Sequence, residues 1–513
     1  MIIKSKIVRD TILLTAMQLF LDTASLLLNA FITRRLGTSA IGILALTGSF
    51  LGLAGVISNG NAFLCTSRLI SEEYGRKNPN PERVLFHGIK LCMILSLTVS
   101  AGIVLFAGTF SERFFGGADM KGMIRLMPAA LISGAIVSCL KGYFNASRRS
   151  AISAVGDVLE FLIRCGVIVG MAAAMESPDE GDICGIMIGS IISGNIFSLM
   201  FLSVLYIRYR SVSRNKGNLS FRDYVKFALP IMGGGIITAV LSSTNDALIP
   251  MCLRQYGDSL GGALSLFGIF EGIVIPTLFF PSVILCSMAG IIVSETARAS
   301  AAGNTERIRH LAGRITEWTL IYAIFASALL IRFGGAIGVM LGGGGLAGRM
   351  ISSIAPVVPF IYMEIVLEAM IKGMGLQGFS SLNYLAEYAV RIAIVLIAVP
   401  RFGFWGIAAS YYASNVIGNC SRFVKLVKAS GMSFSPARMI VLPAAYAYMT
   451  MNLAELTVKL AAGNCESMGK LAAMAVLWGI GYAGVFTAAG KIRLNWRKNR
   501  SPLLKITNNR CGK

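Results

Sequence analysis

Glu160-Phe-Leu-Ile-Arg164 sets an acid and a base four residues apart inside an apolar stretch, and Glu387-Tyr-Ala-Val-Arg391 does so again in the second half of the chain. On a helix, residues four apart share a face. Working outward, Lys141-Gly142 precedes the first of these segments and Lys372-Gly373 the second. Farther out, Arg34-Arg35-Leu36-Gly37 matches Arg254-Gln255-Tyr256-Gly257. Ser71-Glu72 stands as far before His87 as Ser294-Glu295 stands before His310. The same signals recur in the same order, so the chain is read as an internal duplication. A membrane protein built from two like halves usually places its substrate site between them.

The chain has 513 residues, 55% of them hydrophobic and 14% charged. A spanning helix needs roughly 20 apolar residues. About fourteen stretches approach that length, near 11–33, 40–66, 84–109, 123–144, 152–175, 183–207, 223–252, 261–297, 315–333, 347–374, 379–399, 404–426, 439–460 and 469–490. Pro443 and Glu455 interrupt the thirteenth. Long period-2 alternation is absent, which excludes a membrane β-barrel. The expected class is an all-α polytopic membrane protein. Its first lobe of six helices covers 1–212, and a second, parallel lobe covers 219–430. Two extra helices cover 438–490, and 491–513 is a basic cytoplasmic tail.

A net charge of +22 in a soluble chain would point to nucleic acid. Its placement points elsewhere. Lys4, Lys6 and Arg9 precede the first stretch; Arg68, Arg76, Lys77 and Arg83 follow the second. Arg148, Arg149, Arg208, Arg210, Arg214 and Lys216 follow later even-numbered stretches, as do Arg298, Arg307, Lys425 and Lys428. The positive-inside rule puts these loops and both termini in the cytoplasm of a plasma-membrane protein. The opposite loop Glu176–Asp182 is acidic. The tail is expected to rest on anionic headgroups. The first stretch carries Asp22 and is too long for a signal peptide, so it is read as a retained helix. Ten cysteines are scattered without a C-x-x-C pair, and His87 and His310 are the only histidines. No metal site and no cofactor is expected.

Stretch seven opens Leu229-Pro230-Ile-Met-Gly-Gly-Gly235, and stretch eight reads Phe270-Glu271-Gly272-Ile-Val-Ile-Pro276 before Pro281. Proline removes a helix donor and glycine permits close packing. These two helices are either ordinary packing elements or hinges for rocking of the halves. Gly342–Gly345 lacks the Gly-Lys-Ser/Thr that would make it a phosphate loop.

Together the Arg-x-x-Gly end of the first helix, Leu140-Lys-Gly-Tyr-Phe144 and Glu160-x-x-x-Arg164 resemble the MOP superfamily of multidrug, oligosaccharidyl-lipid and polysaccharide exporters. The pattern is most like its polysaccharide-export branch, which includes stage V sporulation protein B and lipid II flippases. The resemblance implies a V-shaped pair of lobes around a central cavity that opens alternately to each side. It implies a lipid-linked sugar as substrate. The branch often carries arginine in the middle of the first helix, suited to pyrophosphate; here Asp22 stands in that region.

Ionisable residues inside a membrane are costly and usually functional. Glu160/Arg164 and Glu387/Arg391 are expected to be structural ion pairs, one per lobe, with Arg164 and Arg391 also candidates for an anionic headgroup. Asp22, Asp246 and Glu271 are candidates for the cavity wall, where they would contact substrate or couple H+ or Na+. Glu364 and Glu368 are like charges one turn apart. Arg34, Arg254, Lys141 and Lys372 are read as capping or snorkelling residues, with lipid phosphate as the other role for the lysines.

The expectation is a transporter of the cell envelope, not an enzyme: a flippase moving a lipid-linked oligosaccharide or peptidoglycan precursor by alternating access. Its partners are that substrate and membrane lipids, with no nucleic acid. A cation/drug antiporter on the same fold is the alternative, which acidic cavity residues would favour. A membrane glycosyltransferase or acyltransferase is disfavoured by short external loops.

Overall fold

The computed structural model describes residues 2–74, 80–115, 120–175, 179–210, 220–257, 259–462, 469–471 and 473–486, with side chains from Thr15 onward. The side chains of Lys4, Lys6 and Arg9, and all of Arg76, Lys77, Arg214, Lys216 and the tail 491–513, lie outside the described residues.

The described residues are helical apart from turns. The long helices are α1 (Ile2–Leu36), α2 (Thr38–Asn59), α3 (Ala62–Tyr74), α4 (Pro81–Leu105), α5 (Met127–Ala146), α6 (Ser150–Ala174) and α7 (Glu180–Tyr209). They continue as α8 (Phe221–Tyr256), α9 (Leu260–Ile269), α10 (Val283–Ala301), α11 (Thr305–Met340), α12 (Gly344–Ile354), α13 (Val358–Gly373), α14 (Gln377–Phe402), α15 (Phe404–Ser430) and α16 (Leu442–Ala462). A last helix, α17, runs over Gly469–Phe486. Eleven segments among the described residues are long and apolar enough to cross a membrane. Three further long helices, α6, α15 and α16, are interrupted by charged and polar residues, among them Glu160 and Arg164, Asn419 and Arg422, and Glu455 and Lys459. Two of these three carry the buried charge discussed below. Leu105, Val204 and Leu460 are among many large apolar side chains left exposed. A soluble surface rarely shows such a belt, and the lipid interior accepts it.

The recurring motifs have local physical causes. Gly37 and Gly257 close α1 and α8 with φ of 90° and 116°, a region that L side chains rarely enter. Gly142 lies against the Phe63 carbonyl, 2.8 Å from where a Cβ would stand, and Gly373 lies equally close to the Val293 carbonyl. The Lys-Gly motif therefore lets α5 approach α3 and lets α13 approach α10.

Proline breaks the eighth span. Pro276 cannot donate to the helix ladder. The ladder opens into a π-turn at Phe270–Val274 and a 3-10 turn at Phe280–Ser282. Side chains from other helices meet the loosened carbonyls: Asn29 donates to Gly272 O at 2.8 Å, and Tyr362 to Leu278 O at 2.9 Å. Ser327 donates to Ala355 O at 2.8 Å, a carbonyl that loses its i+4 donor to Pro359 and otherwise accepts from Val358 N in a 3-10 turn. Such substitution is what allows proline inside a membrane helix.

Helix α8 reaches α3 at its start and α2 near its end. At its start Tyr224 is buried with its hydroxyl 2.9 Å from Thr66 of α3. Near its end Asp246 accepts from Ser49 of α2 at 2.7 Å. Helices α2 and α9 touch backbone to backbone around Gly42 and Gly268. Helices α16 and α17 pack on α11 through Trp478, Tyr482 and Phe325, and Trp478 donates to Ala447 O at 3.0 Å.

Candidate functional site

Two polar regions lie on neighbouring faces of α2. In the first, Gly48, Gly52 and Gly55 of α2, Gly134 of α5, Arg164 of α6 and Asn195 of α7 enclose a cavity of about 300 Å³. No atom stands within 4 Å of where a Cβ would lie on Gly52 or Gly55, so these glycines hold the space open. The Arg164 stem lies over Gly194, where a Cβ would be 2.7 Å from Arg164 Cγ.

The expected Glu160–Arg164 pair is not the contact formed. Glu160 binds Lys141 of α5 at 2.8 Å, and Lys141 also binds Asp157 at 2.6 Å. Lys141 is 15% exposed and spends its charge on these two carboxylates. The reason is tertiary: α5 packs on α6 and presents a cation that the one-helix reading could not supply. Arg164 has no carboxylate within 4 Å among the described residues. Lys141→Met is therefore expected to lower membrane abundance several-fold, whereas Arg164→Gln should leave abundance intact. Quantitative blotting of both variants checks this, and a reversed order would restore the intrahelical pair.

In the second region, Asp246 of α8 accepts from Ser49 at 2.7 Å and from its neighbour Asn245 at 3.3 Å. Pro250 follows four residues later and removes the usual i+4 donor to the Asp246 carbonyl. Glu271 lies in the π-turn, within electrostatic range of Asp246 and Arg391 and in hydrogen-bond reach of Tyr411. The Arg391 guanidinium sits 4.4 Å from the centre of the Tyr411 ring and 5.1 Å from that of Tyr388, and its Nε donates to Ser414 at 3.0 Å. Stacking on two rings suits guanidinium better than ammonium. Asp246, Glu271 and Arg391 thus converge from three helices. Asp22 does not join them: it accepts from Gln18 of its own helix at 2.9 Å and faces Cys286 of α10.

Arg391 contacts Glu387 at 3.5 Å. The pair is part of a larger network centred on Arg422, which the sequence reading overlooked. Arg422 is 1% exposed and meets Glu387 at 2.8 Å, Glu364 at 3.2 Å and Glu368 at 3.4 Å. Glu368 also accepts from Ser380 and contacts Lys372 at 3.1 Å. One available signal was an arginine inside an apolar stretch. The other was the repeat of Gly194-Asn195 as Gly418-Asn419, which puts Arg422 where the first half has Ser198.

The remaining candidates have structural surroundings. Arg34 donates to the Met340 carbonyl at the end of α11, capping that helix. Arg254 is exposed near the end of α8.

Residues 7–290 match the polysaccharide biosynthesis protein family. Stage V sporulation protein B of Bacillus subtilis (strain 168) is 20% identical over 427 residues, 81% of this chain and 82% of that protein. Among solved structures, the lipid II flippase MurJ in an inward closed conformation superposes with a TM-score of 0.72 at 12% identity, over 94% of this chain and 99% of that one. An inward-facing multidrug resistance MATE family transporter of the MOP superfamily gives 0.64 at 14% identity, over 80% of this chain and 96% of that one. The chain belongs to the polysaccharide biosynthesis protein family, and its fold is that of the solved lipid II flippase and MATE family transporter.

Proposed function

We propose that this protein flips a lipid-linked sugar across the plasma membrane. Fourteen helices form two six-helix lobes, 1–212 and 219–430, plus two extra helices. The lobes rock about α2 and α8, and the headgroup passes between them while the lipid tail stays in the bilayer. One observation carries the reading: Arg164, with no carboxylate within 4 Å among the described residues, lines a glycine-walled cavity. A guanidinium in that setting suits the phosphate of a sugar-phosphate lipid. The likeness to stage V sporulation protein B and to a lipid II flippase supports the same substrate class.

Arg391 faces Asp246 and Glu271, while Arg422 binds Glu387 from the other side. The acids outnumber the bases there, and H+ or Na+ would balance them. Ion occupancy would then bias the two-lobe equilibrium by its differential affinity for the two states. Transport of lipid-linked substrate in proteoliposomes tests the scheme. Arg164→Gln should reduce flux about tenfold, the worth of one charge-assisted hydrogen bond, at unchanged abundance. Asp246→Asn with Glu271→Gln should remove the dependence on the ion gradient. Full flux in the first variant removes the headgroup site; a retained ion dependence in the second removes the coupling site.

The acid pair and the tyrosines around Arg391 favour a second reading, export of organic cations. Competition of such cations with the lipid-linked substrate separates the two.

The basic loops support cytoplasmic termini. Reporter fusions at Glu180 and Lys216 should fall on opposite faces, 180 outside and 216 inside; the same side at both positions would overturn this topology. With it, the α2–α9 contact lies toward the external face.

A further inference from the structure

The turn joining α5 to α6 and the turn joining α13 to α14 share one backbone path. In the first, Arg148 N donates to Asn145 O at 3.1 Å and Arg149 N to Phe144 O at 3.0 Å. In the second, Gly375 N donates to Lys372 O at 3.0 Å and Leu376 N to Ile371 O at 3.1 Å. The residue at the bend has φ of 78° in Gly375 and 57° in Arg148. Glycine takes that conformation without strain; an L side chain does not. The second half thus shows the comfortable solution, and the first half places an arginine there instead.

Arg148 and Arg149 line a cavity of about 800 Å³ together with Ser71, Tyr74, Tyr143 and Tyr209. Arg149 stacks on the Tyr209 ring at 4.1 Å. The Tyr74 hydroxyl lies 3.2 Å from Ser147 Oγ. Neither arginine has a carboxylate within 4 Å among the described residues, whereas Arg68, Arg298, Arg307 and Arg438 each have one. No side chain caps the start of α6 beside Arg149, so first-turn N–H donors add to the same field. The ends of α3, α5 and α7 and the start of α6 meet here. Their tyrosines are the residues that settle at a membrane–water boundary.

We infer that this cavity, off the path between the lobes, binds a phosphate anion at the membrane surface, carried by an anionic phospholipid headgroup or by a soluble phosphate. Arg148 and Arg149 supply the charge, and Tyr209 holds Arg149 flat for bidentate contact.

The test is native mass spectrometry of the full chain released from detergent, titrated with phosphatidylglycerol or phosphatidylcholine. The parent should retain phosphatidylglycerol preferentially. Arg148→Gly and Arg149→Gln should each weaken retention about tenfold. Arg148→Gly carries a second readout: glycine relieves the bend, so thermal stability should hold or rise while binding falls. A merely structural arginine would not separate the two. Inorganic phosphate that displaces the lipid identifies a soluble-phosphate site; lipid that resists displacement identifies a headgroup site. Equal retention of both lipids, or parental binding in both variants, would overturn the inference.

Discussion

A single methyl group at Gly42 or Gly268 is expected to abolish closure between α2 and α9. A Cβ on Gly42 would run into the Leu264 carbonyl oxygen. One on Gly268 would meet the Gly42 backbone nitrogen, with the Thr38 carbonyl at 2.5 Å and Ile41 Cγ2 at 2.7 Å. Backbone atoms of two packed helices have no rotamer by which to yield, so the helices must part. Overpacking of this kind costs about 1–3 kcal/mol, and the upper value moves a two-state equilibrium about a hundredfold. The assay is disulfide trapping between Thr38→Cys and Ser265→Cys, whose hydroxyls now lie 2.5 Å apart. The cross-link should form in the parent and disappear with Gly42→Ala, and transport should fall with it. Gly170→Ala, outside the cavity that Arg164 lines, is the control, since nothing lies within 4 Å of the added methyl. A Gly42→Ala variant that cross-links and transports like the parent would show that this contact does not hold the lobes.

Arg422→Gln is expected to be among the most destabilising single changes in the chain. Arg422 is the shared cation for Glu364, Glu368 and Glu387, and Glu387 is 3% exposed. Removing one partner from a buried pair costs about 3–5 kcal/mol, because the remaining charge has neither water nor counter-ion. Abundance and thermal unfolding in detergent should both collapse. Adding Glu387→Gln should recover part of the loss, since a neutral amide can still hydrogen-bond. A single mutant as stable as the parent would mean that the carboxylates are already neutral and that Arg422 serves another purpose.

The buried charges show where reading a chain in one dimension stops. Glu387 and Arg391 lie four apart on one helix, and that contact could be anticipated from spacing. Glu160 and Arg164 have the same spacing, yet Lys141 reaches Glu160 first because α5 packs on α6. Asp246 and Glu271 were singled out because they are carboxylates within apolar stretches; that they meet Arg391 depends on the π-turn before Pro276 and on the path of α14. Asp22 carried the same one-dimensional signal and lies elsewhere, bonded to Gln18.

Sequence by itself determined the all-α membrane class, the recurrence of short motifs and the set of costly intramembrane charges. Apolarity over a span, the period of a helix and glycine at a left-handed bend are local properties, written in consecutive residues. Only the tertiary structure decided which acid meets which base, which arginine has no carboxylate beside it among the described residues, and where α2 and α9 meet. Those outcomes depend on which helix faces lie within a few ångströms of each other. In a low-dielectric interior that distance decides whether a charge is neutralised by the protein or left for a substrate to answer.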